Sequence, residues 1–246
     1  MASRTAKQSA HPALKSISDQ AFIVAHRGAS KFEQENTMAA FERAIELGSH
    51  MIELDVRQTR DRVLVVHHDP LVGNKSIDSL TYEQLVAQHP DANIATFSEV
   101  IKQIAGRALV NIEIKEEGLA AAVMKIVSPL LTPDRFVVSS FLNSALIDVK
   151  EIDPRVCTGL ILGQPVRSQS IAAHVGDLSP WKRIAATGAN FVAVHYLLAD
   201  VSILRGARKR GIPVMVWTLN AERRRRRFAK SRGVVAVIVD DPTELT

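Results

Sequence analysis

The chain is expected to fold as an α/β TIM-type (β/α)8 barrel, a ring of parallel strands each followed by a helix. Three observations lead there. Short β-branched runs recur along the chain and are apolar almost throughout, as strands covered on both faces are. Helical patterns lie between most of them, and such alternation makes a parallel sheet with right-handed crossovers. The length of 246 residues also suits a barrel of this kind, which takes roughly 250. A doubly wound open sheet is the alternative, but its GxGxxG signature is absent, as is the P-loop GxxxxGK[ST].

In order, strand candidates lie at 22–25, 51–56, 63–67, 109–114, 136–139, 158–162, 191–194, 214–218 and 234–239. That is one more than a barrel needs, so one is a hairpin partner or an extra strand. A helix is expected over 37–47, where Met38, Phe41, Ala44, Ile45 and Leu47 fall near helical spacing. Asn36 or Thr37 caps it and Gly48 ends it. Further helices are expected over 202–210, stopped by Gly211-Ile212-Pro213, and over 222–230. The stretch 70–94 is the least regular and reads as a short insertion after the second strand. Residues 1–20 are polar and read as a flexible arm. With no repeat and no Gly/Ser-rich linker, residues 21–246 read as a single domain.

Composition narrows the function classes. Hydrophobic residues make up 46% and charged residues 23%, ordinary globular values that exclude disordered and low-complexity chains. Cys157 stands alone, which excludes an intramolecular disulfide framework and a CxxC zinc site and fits a reducing cytoplasmic setting. No stretch approaches the roughly 20 apolar residues that span a bilayer. The net charge is +5, suited to nucleic acid, an anionic membrane or a phosphorylated small molecule. Much of the excess is local, in Arg223 to Arg227 and in Arg205, Arg208, Lys209 and Arg210. No aromatic residues alternate with these arginines, so nucleic acid is not the expected partner.

Residues able to do chemistry collect at strand ends. His26 and Arg27 follow the first run, and Glu53 and Asp55 lie in the second. His67, His68 and Asp69 close the third, Glu113 and Lys115 the fourth, and Trp217 sits near the end of 214–218. In a barrel the C-terminal strand ends form one mouth, where reactions occur, so five strands are expected to aim special residues at one place. Glu53 and Asp55, two apart on a strand, share a face, as do Glu113 and Lys115. Three inward carboxylates repel one another and resist ionising, which a hard divalent cation, Mg2+ or Ca2+, relieves. Histidines at strand ends suit acid–base work near neutral pH, and arginine grips phosphate oxygens as a fork. His67 and His68 point in alternate directions, so only one faces the mouth. His195 is a weaker candidate, and His11, His50, His89 and His174 read as structural.

Taken together, these blocks resemble the glycerophosphodiester phosphodiesterase family. The matching segments are Ala25-His26-Arg27-Gly28-Ala29, Gln34-Glu35-Asn36-Thr37, Ala40-Phe41, Gly48, Glu53-Leu54-Asp55-Val56, Val66-His67-His68-Asp69-Pro70 and 111–115. After them come Ser140-Phe141, 216–220 and 238–242. The resemblance spans nearly all of 22–242. Departures are Gln34 for a proline, Asp61-Arg62 for an Asp-Gly turn, a short segment after Asp69, and Glu116 where proline often stands. The resemblance implies a TIM barrel that cleaves glycerophosphodiesters to sn-glycerol 3-phosphate and an alcohol. Carried over by position, Glu53, Asp55 and Glu113 hold the divalent cation and His26 and His68 are the acid–base pair. Arg27 and Lys115 meet the phosphate, and Trp217 walls the glycerol carbons. The partner is then a small-molecule glycerophosphodiester. Two alternatives stand beside this reading: a lipid phosphodiesterase of the sphingomyelinase D type, and a non-catalytic anion-binding barrel.

Overall fold

The computed structural model describes residues 21–163, 180–199 and 203–245, with Leu14 and Asp177. The arm expected over 1–20 lies outside these residues except at Leu14, which is buried among the side chains that fill the barrel. His11, His174 and the start of the helix expected from 202 also lie outside them.

In chain order the strands are β1 (Phe22–Ala25), β2 (Met51–Gln58), β3 (Leu64–Val66), β4 (Leu71–Val72), β5 (Lys75–Ser76) and β6 (Leu109–Ile114). They continue with β7 (Phe136–Ser140), β8 (Cys157–Leu162), β9 (Phe191–His195), β10 (Val214–Trp217) and β11 (Val234–Val239). Strands β1, β2 and β6 to β11 lie in sequential order and run parallel, and β1 closes the ring by pairing with both β2 and β11. The helices are α1 (Met38–Glu46), α2 (Tyr82–Gln88), α3 (Phe97–Ile104), α4 (Ala120–Val127), α5 (Asn143–Ile152), α6 (Trp181–Thr187), α7 (Leu204–Arg210) and α8 (Glu222–Ala229), with one helical turn at Tyr196–Leu198. Thr37 caps α1 by accepting from the Ala40 N–H, which is the side-chain oxygen's usual service to an unpaired helical donor.

One of the five strands expected to feed the mouth is not a barrel strand. After Ile52, β2 parts from β1, and its far end, Val56 to Gln58, pairs antiparallel with β3. The five residues between β2 and β3 are too few for a parallel crossover, which takes a dozen or more. The segment that carries His67 and His68 therefore reaches the mouth as the return leg of a hairpin. Residues 70–94 form the expected insertion, built from the β4–β5 hairpin and α2. It has its own small core of Val65, Val72, Ile77, Leu80, Leu85 and Ile94.

Alternation along the strands sorts side chains into two layers. Ile52, Leu54, Val56, Ile112 and Val138 face outward and pack with Phe41, Val100 and Ile101 of the helices. Phe22, Val24, Met51, Cys157, Phe191 and Met215 fill the interior. Toward the mouth the inward positions turn polar, with Glu53, Asp55, Asn111, Glu113 and Ser139 all buried. The Phe191 ring lies where a side chain on Gly159 would stand, so this glycine is required by close approach. Gly159→Ala should cost about 1–3 kcal/mol by overpacking, measured as a lower urea midpoint at unchanged slope. Phe191→Leu in the same chain should recover part of that loss, a non-additivity that a double-mutant cycle detects.

Candidate active site

The cavity at the mouth has a volume of about 530 Å³, and its lining includes His26, Arg27, Glu53, His68, Glu113, Lys115 and Trp217. Glu53, Asp55 and Glu113 meet there, all buried, with one carboxylate oxygen from each lying within 4.8 Å of the others. The register explains this: Glu53 pairs with Asn111 and Asp55 with Glu113 on neighbouring parallel strands.

Asp55 is the most tightly held of the three. Its Oδ2 accepts from Asn36 Nδ2 at 2.8 Å and lies 3.2 Å from Arg27 Nε, while Oδ1 lies 3.0 Å from Lys115 Nζ. Burial disfavours its charge, but Lys115 and Arg27 outweigh that and hold its pKa well below the usual carboxylate range. Glu53 accepts the Arg27 backbone N–H at 2.9 Å. Burial and the Asp55 charge push it up to about 8. Burial also raises Glu113, although Lys115 Nζ donates to it at 2.6 Å. The donors are oxygens and carry more negative charge than their two cationic neighbours offset, which fits a hard divalent cation. Lys115 is thus committed to two of the carboxylates. Arg27 is pinned by Asp55 and by Glu35, to which Nη1 donates at 2.8 Å. The loop that bears Arg27 is tight: Arg27, Gly28 and Asn36 all have positive φ, and a Cβ on Gly28 would lie 2.6 Å from the Ala40 carbonyl carbon.

The two histidines differ in setting. His26 Nδ1 lies 2.6 Å from Asp240 Oδ1, and Asn220 Nδ2 donates to Asp240 Oδ2 at 2.5 Å. Burial lowers the His26 pKa, but the Asp240 hydrogen bond and the Glu53 charge outweigh it, and the net shift is upward from 6.5. His68 moves downward from 6.5, through burial and the Lys115 charge, although its Nδ1 lies 2.7 Å from Asp69 Oδ1. Its backbone carbonyl accepts from Arg57 Nε at 2.8 Å, and Arg57 Nη1 donates to Glu116. His67 turns aside, with Nδ1 3.0 Å from the Asp69 carbonyl oxygen. Trp217 meets Phe141 and His195 edge-on, and Trp217 and Phe141 line the apolar side of the mouth. His195 caps the Tyr196 turn, and His50 accepts from the Ile23 N–H.

Asp240, Asn220, Asn36 and Arg57 were given no chemical role by sequence reasoning. Asp240 and Asn220 each follow the end of a barrel strand, and that position was the available signal. The departures also have places. Arg62 adopts φ +63°, the backbone that favours a glycine. Gln34 donates to the Ala92 carbonyl, and Glu116 is the partner of Arg57.

A parallel barrel whose mouth gathers three carboxylates, two imidazoles and two fixed cations has the build of a metal-assisted phosphodiesterase. The glycerophosphoryl diester phosphodiesterase family matches residues 26–244, and the chain belongs to that family. It is 32% identical over 243 residues to a glycerophosphodiester phosphodiesterase of Caldanaerobacter subterraneus subsp. tengcongensis, covering 91% of this chain and 95% of the relative. The crystal structure of the Thermotoga maritima glycerophosphodiester phosphodiesterase superposes with a TM-score of 0.73 at 29% identity, over 91% of this chain and 96% of that one. An Oleispira antarctica phosphodiesterase, solved in complex with the product sn-glycerol-3-phosphate, shares the fold with a TM-score of 0.78 at 23% identity, over 92% and 95% of the two chains.

The raised Glu53 carries a pH signature. Its folded pKa of about 8 lies above the ordinary 4.5. In the metal-free protein its proton therefore adds stability that is complete below about 4.5 and is lost as pH rises through about 8. A cation takes the proton's place. The gain in Tm on adding MgCl2 or CaCl2 should thus be larger at pH 8 than at pH 6, with protons released on binding. Thermal melts in matched buffers measure the first and calorimetry the second.

Proposed function

We infer that this enzyme hydrolyses glycerophosphodiesters to sn-glycerol 3-phosphate and an alcohol, with Glu53, Asp55 and Glu113 holding Mg2+ or Ca2+. The observation that carries this reading is the meeting of those carboxylates with His26 and His68 around one cavity. When bound, the cation supplies positive charge to the phosphoryl oxygens. Arg27, fixed between Asp55 and Glu35, adds a second charge to them, and Lys115 balances the carboxylates beneath. His26, with its pKa raised, keeps its proton to higher pH than His68 and serves as the acid that protonates the leaving alcohol. His68, with its pKa lowered, is the base that takes the proton from the attacking oxygen. Asp240 holds the His26 ring through Nδ1 and leaves Nε2 for substrate. Trp217 packs against the glycerol carbons. The single-domain reading of 21–246 accords with the family match, and a cytoplasmic location accords with the lone buried thiol of Cys157.

The defining experiment is an assay over a panel of glycerophosphodiesters, with released glycerol phosphate as readout. Chelation should abolish turnover, and Mg2+ or Ca2+ should restore it. Activity that persists at full rate after chelation rejects the metal assignment.

Three further outcomes test the histidines. His26→Ala and His68→Ala should each lower kcat about 10²-fold or more. The wild-type rate should rise with pH as His68 loses its proton, below 6.5, and fall as His26 loses its own, above 6.5. Asp240→Asn removes the interaction that raises the His26 pKa. It should lower kcat with little change in KM and move the falling limb to lower pH, which a merely structural lesion would not do.

A further inference from the structure

The net charge of +5 conceals a separation. Between residues 203 and 233 lie eleven of the thirty-one Lys and Arg residues and a single acid, Glu222. The rest of the chain has twenty Lys and Arg against twenty-five Asp and Glu. Helices α7 and α8 carry this excess, and they flank one strand of the ring, α7 preceding β10 and α8 following it, with Ala207, Phe228 and Ala229 in the same apolar cluster. Arg208, Lys209, Arg223 and Lys230 are exposed on their outer side, and helix α8 has Arg225 as its one buried cation.

At the mouth end this face meets the turn Tyr196–Leu198 that follows β9. The Arg224 guanidinium stacks on the Tyr196 ring at 4.5 Å. The next residue, Leu197, is 68% exposed, the most exposed large apolar side chain among the described residues. An isolated exposed leucine is unremarkable. Here it projects beside a dense field of cations at the end of the barrel where substrate enters.

We propose that the α7–α8 face, with Leu197 at its mouth-side edge, docks the enzyme on an anionic lipid surface. Cations draw such a face to negative headgroups, and an apolar side chain at its edge enters the acyl boundary. Nucleic acid fits less well. Single strands are held by bases stacked on open aromatic faces, whereas among the described residues Tyr196, Trp181 and Phe228 already lie under Arg224, Arg210 and Arg227. An exposed leucine also offers nothing to a phosphate backbone. The docking reading is independent of the catalytic assignments, and its test needs no turnover.

The full chain should co-sediment with vesicles of equal parts phosphatidylcholine and phosphatidylglycerol, and not with phosphatidylcholine alone. Binding should fall as salt is raised from about 0.05 to about 0.5 M, where screening shortens to a few ångströms. Neutralising three cations (Arg208→Gln, Arg223→Gln, Lys230→Gln) should weaken vesicle binding about a hundredfold, at roughly fivefold per charge. Leu197→Ser should weaken it further, and that loss should persist at any salt concentration that still permits binding. Both variants should keep the wild-type far-UV circular dichroism spectrum and a cooperative thermal melt, which shows that they are folded. Equal binding to neutral and anionic vesicles overturns the proposal. So does wild-type vesicle binding by the triple variant, or salt-sensitive binding to an oligonucleotide with none to vesicles.

Discussion

Three carboxylates enclosed in a ring of strands cannot all be ionised without compensation, and the architecture of the mouth follows from that constraint. Lys115 and Arg27 supply positive charge, and Asn36 supplies a donor. All three converge on Asp55. Two cations against three carboxylates leave a deficit, and burial together with the Asp55 charge raises Glu53, and Glu113 too despite its bond from Lys115. The deficit has the sign, the hardness and the donor type that a divalent cation answers. The tight loop after β1, with positive φ at Arg27, Gly28 and Asn36, is the backbone's share in the same task. It turns one guanidinium and one amide toward Asp55 and gives the Arg27 N–H to Glu53.

That charge arrangement also separates the histidines. His26 has Glu53 and Asp240 as anionic neighbours and is pulled up, while Lys115 and Arg27 outweigh Asp55 and Asp69 at His68, where burial also acts, and push it down. Two imidazoles at one cavity thus titrate on opposite sides of the ordinary value, as a division of labour between acid and base needs. Burial lowers both, and the neighbouring charges decide the net direction. The charges behind the shifts lie elsewhere in the ring of strands: Glu53 and Lys115, which the residue spacing had already placed, and Asp240, which it had not.

The barrel was legible because its strands are apolar on both faces, and the carboxylates were legible because a period of two forces Glu53 and Asp55 to one side. The β3 hairpin was less so. Leu64, Val65 and Val66 read as an ordinary strand, and only the brevity of the preceding turn distinguishes a return leg from a crossover. Asp240 and Asn220 were not legible in this way: Asp240 pairs with His26 about two hundred residues away in sequence, Asn220 enters only through its bonds to Asp240, and no local pattern encodes either pairing. The family resemblance implies that Lys115 meets the phosphate. Its lysine-two-after-glutamate spacing is also what lets Nζ fold back onto Glu113, and the 2.6 Å contact shows that use of it.

Because β3 is not part of the ring, His68 lacks the support that a parallel neighbour on each side gives His26. Its position rests on other bonds. The His67 N–H donates to the Asp55 carbonyl at 3.1 Å, which ties the returning segment to the strand that bears the carboxylates. Arg57, two residues beyond Asp55 on that strand, reaches the His68 carbonyl, and Glu116 fixes Arg57 from the far side while also accepting the Gln58 N–H. A proline following Lys115 could not do this. Glu116, which reads as a peripheral departure in the sequence, therefore braces a segment whose strand left the barrel.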